Sequence, residues 1–135
     1  MFEMVPVELV RVVIDEGRDE QAIVLEECGG GRAIPILIGI FEATVIQRLV
    51  KQRRAERPLT HDLIPEVIRR LGARLRRVEI DERRGDVYIA KLVIARGEEE
   101  IAIDCRPSDA VALALHEEVP ILVAEAILDQ RARDG

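Results

Sequence analysis

Two stretches of this chain resemble each other at a separation of 66 to 67 residues. Residues 12–16 match residues 78–82 at four of five positions. Residues 36, 42, 43 and 46 have identical or similar counterparts 67 positions later. We therefore predict a fold made of two related halves, at about 5–54 and 75–118.

Each half has the pattern of three strands followed by a helix. Runs rich in β-branched residues, separated by glycine turns, predict strands at 5–14, 21–26 and 32–38, and again at 75–80, 87–95 and 100–104. Apolar residues at helical spacing predict helices at 40–53 and 107–117. If Gly39 and Arg106 directly precede these helices, Pro107 takes the first helical position, where its missing N–H costs nothing.

A further helix is predicted between the two halves. Apolar residues from 63 to 71 have helical spacing, and Gly72 supplies a stop. Either Thr60 or Asp62 can cap the start of this helix. Pro65 is tolerated only near the first turn, so the helix start is not fixed by the pattern.

The C-terminal part reads as a short strand at 120–123 and a closing helix at 124–133. Together with the two strand-strand-strand-helix units, this pattern predicts a single α+β domain over residues 1–135. We expect a mixed or mostly antiparallel sheet of six or seven strands, with one connecting helix and one C-terminal helix.

The composition argues against several classes of protein. Aromatic residues make up 2% of the chain, too few for modules that stack bases on aromatic side chains. No apolar run approaches the roughly 20 residues of a membrane span, and no signal peptide is visible. Cys28 and Cys105 form neither a CxxC pair nor a zinc set. We therefore expect a reduced, cytoplasmic protein that does not bind membranes.

The net charge of −6 hides an asymmetry along the chain. Residues 48–77 contain ten Lys or Arg against three acids, which leaves the rest of the chain with a net charge of −13. A basic segment in an acidic chain is compatible with a local phosphate-binding face. A solvated helix face followed by a linker gives the same pattern, and both interpretations stay open.

Both repeated helices have an acid in their first turn, Glu42 and Asp109. If the halves are related by a two-fold axis, these carboxylates converge, and paired carboxylates hold divalent cations. Such a cation polarises a phosphoryl oxygen and activates water for attack on a phosphodiester. An acid in a first turn can equally accept backbone N–H groups and complement the helix dipole without any metal.

The segment RPLTHD at 57–62 concentrates polar groups before the central helix. His61 can act as a general base or a metal ligand, and Asp62 can orient it or bind metal itself. The same residues are also good capping residues for a helix. His116, the other histidine, is expected at the surface.

The segment DCRPSDA at 104–110 is the densest polar cluster in the chain. It places two carboxylates, a guanidinium and a hydroxyl at a strand-to-helix junction, where the helix N-terminus favours an anion. Arg106 can clamp a phosphate and stabilise charge in a transition state, or it can pair with a carboxylate and fix the turn. Cys105 and Ser108 are weak candidates for a nucleophile, because no histidine is near them in sequence.

Three segments occur in a specific order and spacing: PILIGIFEA at 35–43, RPLTHD at 57–62 and DCRPSDA at 104–110. Together they resemble the bifunctional nuclease domain family, and the resemblance covers about residues 4–129. It implies an α+β domain that self-associates and a nuclease that acts on both DNA and RNA. Cys105 stands where the family usually has a small residue such as alanine, a change that is conservative in size.

With this resemblance, we expect a phosphodiesterase of low sequence specificity that cuts DNA and RNA. The candidate catalytic residues are His61, Asp62, Asp104, Arg106, Ser108 and Asp109, with His61 as the base and Arg106 as the charge stabiliser. The candidate ligands of Mg²⁺ or Mn²⁺ are Glu42, Asp104 and Asp109, joined by Asp62. The candidate phosphate-binding residues are Arg53, Arg54 and Arg57.

A second hypothesis is a non-catalytic binding or regulatory module that self-associates and binds an anionic ligand. The acidic overall charge and the scarcity of aromatic residues favour it. Under either hypothesis, exposed edge strands in so short a domain favour pairing between chains. We therefore expect a homo-oligomer, with a dimer favoured.

Overall fold

The computed structural model describes residues 3–15, 17, 20–53 and 55–134. Arg54, one of the candidate phosphate-binding residues, lies outside the described residues. The strands are β1 (Met4–Val13), β2 (Glu20–Glu27), β3 (Ala33–Gly39), β4 (Arg74–Arg84), β5 (Val87–Arg96), β6 (Glu99–Cys105) and β7 (Ile121–Ala124). The helices are α1 (Ile40–Val50), α2 (Thr60–Arg70), α3 (Pro107–Glu117) and α4 (Glu125–Asp134).

All seven strands belong to one mixed sheet, in the order β3-β2-β1-β7-β4-β5-β6. The short strand β7 pairs antiparallel with β1 and parallel with β4, and the remaining pairs are antiparallel. The predicted α+β class with a mixed sheet is therefore confirmed. The strand order is symmetric about β7, as two related halves would give. That the halves share one backbone geometry stays a prediction.

One face of the sheet carries the buried core. Registered pairs such as Ile23 with Ile36 and Val78 with Leu92 point to the same face and are buried. Helix α1 packs against β1, β2 and β3, and α3 packs against β4 and β5. The two helices also pack against each other, which brings residues from the two halves of the chain into contact.

The starts of α1 and α3 lie where the sequence predicts them. Gly39 and Arg106 are the N-cap residues, and Pro107 is the first residue of α3. A Cβ atom at position 39 would collide with Oε2 of Glu42. Gly39 therefore allows the Glu42 carboxylate to fold back over the start of α1.

Helix α1 is shorter than predicted. It ends at Val50, because Gln52 adopts a left-handed conformation with φ of 56°. The N–H of Arg53 then donates to the Arg48 carbonyl (3.0 Å), and the N–H of Gln52 donates to the Leu49 carbonyl (3.1 Å), which together form a Schellman motif. The expected extension of α1 to residue 53 is wrong. A glycine or asparagine usually marks a helix end of this kind, and here a glutamine takes that position.

Helix α2 is capped by Asp62 and not by Thr60. The backbone N–H of Leu59 donates to Oδ2 of Asp62 over 2.8 Å. Pro65 is the sixth helical residue, beyond the first turn, and it is fully buried. The helix accepts the proline there without the backbone hydrogen bond that this position would otherwise donate. Gly72 ends the helix as predicted, with φ of 79°.

The largest difference in the strands is at β4, which is predicted over 75–80 and extends over Arg74–Arg84. The register of β4 against β5 shifts at two places, between Leu75 and Arg77 and between Ile80 and Glu82. These irregularities interrupt the alternation that a strand prediction uses. None of the described helices is long and apolar enough to cross a membrane.

Candidate active site

The first turns of α1 and α3 meet at one guanidinium. Arg106 donates from Nη1 to Oε1 of Glu42 (3.0 Å), from Nε to Oδ2 of Asp109 (2.8 Å) and from Nη2 to Oδ1 of Asp109 (3.0 Å). We call Glu42, Arg106 and Asp109 the arginine cluster. It joins acids that are 67 positions apart in the sequence, so the two carboxylates do come together, with the guanidinium between them.

The arginine cluster lines an open cavity of about 690 Å³. Asp104, which is exposed at the end of β6, and the buried Ser108 lie in the wall of the same cavity. The charged side chains of this wall are Glu42, Asp86, Asp104 and Asp109 with the single guanidinium of Arg106. The cavity is therefore acidic, and a phosphodiester would need added positive charge to enter it.

The electrostatics of the arginine cluster follow from these contacts. Hydrogen bonds with Asp109 and then Glu42 raise the pKa of the Arg106 guanidinium, so it stays charged. Burial, followed by the charges of Asp109 and Asp104, raises the pKa of the neighbouring Cys105 to about 11. The Cys105 thiol is therefore protonated at neutral pH, which makes it a poor nucleophile.

In the described part of the chain, no three His, Cys, Asp or Glu side chains stand in an arrangement that could hold a metal ion. Glu42 and Asp109 both bind Arg106, and Asp104 shares their cavity without completing such a group. The guanidinium occupies the position between the two acids that a shared cation would take.

A second group of polar side chains lies where the start of α2 meets the end of α3. Nε2 of His116 lies 2.9 Å from Oδ1 of Asp62, and Nε2 of His61 lies 3.7 Å from the same oxygen. The two imidazole rings have centroids 6.1 Å apart in an edge-to-face arrangement. We call His61, Asp62 and His116 the histidine cluster. The expectation that His116 is a plain surface residue is wrong, because its ring is mostly buried and bound to Asp62.

His61 and Asp62 in the histidine cluster have lowered pKa values. Burial lowers the pKa of His61, and the nearby His116 and Arg48 lower it further, while Asp62 acts in the opposite direction. The backbone N–H of Leu59 is the main cause that lowers the pKa of Asp62, and His61 and His116 add to it. At neutral pH His61 is therefore a neutral imidazole that can accept a proton, beside an ionised Asp62.

The histidine cluster lines a cavity of about 730 Å³ together with Arg48 and Arg53. No ion pair holds Arg48, Lys51, Arg53 or Arg57 within the described residues. Arg53 and His61 line the same cavity, and the phosphate-binding role of Arg53 stays a prediction. Arg57 is exposed but does not line this cavity.

Much of the remaining basic segment is neutralised by acids from elsewhere. Arg69 pairs with Glu117, and Arg77 pairs with Glu79 (2.8 Å) and Glu100 (3.0 Å). The positive charge of residues 48–77 is thus available mainly near the end of α1 and not along the whole segment.

A third cavity, of about 180 Å³, joins the two clusters. Its wall contains Glu42, Arg106 and Asp109 on one side and His61 on the other, and His61 also lines the cavity that contains Arg53. The candidate base and the candidate charge stabiliser therefore face one common space. This arrangement depends on the packing of α2 against α3.

The site contains two side chains that were not candidates from the sequence. Arg48 is one of ten basic residues in its segment, and nothing in the sequence distinguishes it from the others. His116 follows an apolar helix face and has acidic neighbours, the usual setting of a surface residue. Its partner Asp62 is 54 residues away, so only the tertiary fold shows the contact.

The chain is similar to proteins of one family. The family described as the bifunctional nuclease domain matches residues 23–134. An uncharacterized protein of Mycobacterium tuberculosis is 38% identical over 124 residues, which cover 92% of this chain and 74% of that protein. Bifunctional nuclease 1 of Oryza sativa subsp. indica is 33% identical, and the match covers 78% of this chain and 33% of that protein.

A further plant relative, bifunctional nuclease 2 of Oryza sativa subsp. japonica, is 30% identical over 84% of this chain and 36% of its own length. The chain thus corresponds to about a third of each of these plant proteins. The family match spans most of the chain and agrees with the three sequence segments and the α+β fold. The chain belongs to the bifunctional nuclease domain family.

Proposed function

We propose that this chain is a nuclease of low sequence specificity that hydrolyses phosphodiester bonds of DNA and RNA with the help of a divalent metal. The cavity that holds Arg106 with its two carboxylates on one side and His61 on the other carries the proposal. Family membership and the nuclease names of the plant relatives support the same activity.

In this proposal the histidine cluster supplies the base. His61 is neutral because burial lowers its pKa, so it takes the proton from the attacking water. The oxygen of that water bonds to phosphorus as the bond to the leaving sugar oxygen breaks, and the leaving oxygen takes up a proton from solvent water. Asp62 remains ionised and stabilises the protonated ring that results.

Arginines supply the positive charge. Arg53, with Arg48 beside it, binds backbone phosphates next to His61. Arg57, which is exposed, and Arg54, which belongs to the same basic segment of the sequence, are proposed as further phosphate-binding residues. Arg106 stabilises the charge that develops on the phosphoryl oxygens, and exchanges one carboxylate partner for the phosphate as the substrate enters.

The acidic cavity explains why we include a metal. Glu42, Asp104 and Asp109 carry the hard oxygen ligands that Mg²⁺ or Mn²⁺ prefers, and they would hold the ion once Arg106 has moved from between Glu42 and Asp109. No charge other than Arg106 offsets these acids in the described cavity wall. When bound, the ion would polarise a phosphoryl oxygen and lower the pKa of water. Ser108 lies in the same wall and is proposed to position the phosphate through its hydroxyl.

The test is a nuclease assay of the variant Asp104→Ala/Asp109→Ala. Purified wild type and variant are given the same labelled oligonucleotide, as DNA and as RNA, with Mg²⁺, with Mn²⁺ and with a chelator. We expect wild type to cut both substrates only with metal and the variant to lose both activities. Activity of the variant equal to wild type would show that this site is not the source.

The matched control is Glu8→Ala/Glu98→Ala, which removes two exposed acids outside the cavity walls. It has the same change in charge, so its cleavage rates should equal those of wild type. Circular dichroism of all three proteins shows whether the Asp109→Ala change, which also removes a partner of Arg106, unfolds the start of α3.

One observation favours the second candidate, a non-catalytic module that binds an anionic ligand. Arg106 is bound on both sides by carboxylates of its own chain, as in a structural contact. Calorimetric titration with a short oligonucleotide separates the candidates. Binding without turnover supports the module, and cleavage supports the nuclease.

We also propose that the protein is cytoplasmic and acts as a homodimer. Cys28 and Cys105 are free thiols, which persist in a reducing compartment. The homodimer is supported by the exposed apolar surface described next.

A further inference from the structure

Helix α2 has an apolar face that no described part of the chain covers. Leu63, Val67 and Leu71 have 54%, 48% and 71% of their surface exposed, and Ile64 beside them is also exposed. Pro65 and Ile68, on the other side of the helix, pack against the core. An exposed stripe of large apolar residues along one helix is typical of a surface that binds another protein.

The edges of the sheet are less suited to binding a second copy. β6 is exposed along nearly all of its length, but it carries Glu99, Glu100 and Asp104, so pairing with itself would bring like charges together. β3, at the other edge, contains Pro35, which has no N–H to donate to a new strand. Both edges have features that natural sheets use to avoid pairing.

The exposed stripe is complementary to itself. Leu63, Val67 and Leu71 are spaced by four residues, and such rows form the ridges that interdigitate when two helices pack. A two-fold rotation about Val67 exchanges Leu63 with Leu71, so two antiparallel copies place leucine against leucine at both ends and valine against valine in the middle.

The charges beside the stripe support the same arrangement. Glu66 and Arg70 lie along one edge and form an ion pair within the helix, 2.7 Å long. In two antiparallel helices the Glu66 of one copy comes close to the Arg70 of the other. In a parallel arrangement the charged edges of the two copies lie on opposite sides of the interface, so the Glu66 of one copy cannot reach the Arg70 of the other.

We propose that the exposed face of α2 is the interface of a homodimer, with a two-fold axis that passes beside Val67. This inference rests on the dimer of the proposed function and names the surface that forms it. Since His61 and Asp62 lie in the first turn of α2, the interface also fixes the positions of the two histidine clusters relative to each other.

Disulfide trapping tests the position of the axis. In a background with Cys28→Ser and Cys105→Ala, the variant Val67→Cys is oxidised mildly, and the product is examined by non-reducing electrophoresis. We expect a covalent dimer, because residues on a two-fold axis are close enough to form a disulfide. The matched control is Val10→Cys on β1, which has 47% exposure and lies away from α2. Equal trapping at both positions would contradict the proposed axis.

A charge exchange tests the pairing in solution by sedimentation velocity over a dilution series. Glu66→Arg and Arg70→Glu should each weaken self-association at least several-fold, since each places like charges across the interface. A mixture of the two variants should dimerise again, although neither copy regains its internal ion pair. A mixture that stays as weak as the single variants would overturn the proposal.

The failures of the two proposals are distinguishable. A wild type that dimerises without trapping at Val67 overturns the α2 interface and leaves the dimer standing. A wild type that is monomeric at every concentration overturns both the α2 interface and the dimer. The nuclease assay is measured separately, so its result is independent of either outcome.

Discussion

His116 links two helix ends through carboxylates. Nε2 of its ring faces Oδ1 of Asp62 and Nδ1 faces Oε2 of Glu117, at 2.9 and 2.8 Å. Asp62 in turn accepts the N–H of Leu59 at the start of α2. His116 is therefore a positioning residue in our account, since it fixes the carboxylate that lies beside the candidate base His61.

Replacing His116 by glutamine should raise the pKa of His61. His116 is one of the groups that lower that pKa, and its replacement also leaves Asp62 freer to stabilise a protonated His61. Titration of the His61 ring protons by nuclear magnetic resonance measures the shift directly. A His61 pKa that falls or stays unchanged would contradict this assignment.

The same change should alter the dependence of cleavage on pH. His61 acts as a base only when neutral, so activity is lost as the pH falls through its pKa. A higher pKa in His116→Gln moves this acidic limb to higher pH. The distant control Glu98→Gln should leave the limb where it is in wild type.

At the scale of the elements, helix ends position the site. The Schellman motif at the end of α1 turns the chain so that Arg53 lines the cavity of the histidine cluster. The motif requires Gln52 in the left-handed region, at φ of 56°. A residue with a Cβ is strained there, whereas glycine is not.

Gln52→Gly should therefore stabilise the protein. We expect the free energy of unfolding to increase by roughly 0.5–1 kcal/mol, since the relief of strain exceeds the added flexibility of the unfolded chain. Urea unfolding followed by circular dichroism measures the change. Gln47→Gly, within the same helix, should instead destabilise the protein by about 1 kcal/mol. Equal effects of both changes would contradict the role given to Gln52.

At the scale of the whole molecule, the distribution of charge decides where a polyanion can bind. The sequence places ten basic residues in one segment, but the fold pairs Arg69 and Arg77 with acids from other elements. Among the described cations of this segment that form no ion pair, Arg48 and Arg53 line the cavity of the histidine cluster, whereas the acidic cavity lies at the starts of α1 and α3. We propose that phosphates bind at these arginines and that the chemistry takes place at the acidic cavity.

The variant Arg53→Gln/Arg57→Gln tests where phosphates bind. It should weaken binding of a short oligonucleotide and reduce the slope of log affinity against log salt by about 1 for each phosphate that the variant no longer neutralises. Fluorescence anisotropy at several salt concentrations measures both. Arg84→Gln/Arg96→Gln, which removes the same charge from two exposed strand ends, should have little effect. An equal weakening in both variants would indicate only a general charge effect.

The fold was largely predictable because local patterns determine it. Period-two and helical spacing locate the strands and helices, and Pro107 marks the start of α3. The internal repeat predicts that Glu42 and Asp109 lie close together, since equivalent first turns meet when the two halves pack against each other. These inferences need only local sequence and one assumption of symmetry.

The rest of the site depends on contacts between distant residues. The partners of His116 and Arg69 lie 54 and 48 residues away in sequence, and no local pattern indicates them. The end of α1 was missed because a glutamine occupies the left-handed position. The sequence also could not indicate that one arginine binds both first-turn acids.

The most direct test of the account is the single-turnover cleavage rate of the Arg106→Gln variant on one oligonucleotide, made as DNA and as RNA. Removal of a group that stabilises developing charge typically costs about 10²- to 10³-fold in rate, and we expect a decrease of that size on both substrates. Arg84→Gln, which also removes one exposed arginine paired with an acid, should cut at the wild-type rate. An Arg106→Gln protein that folds normally and cuts as fast as wild type would contradict the proposed active site.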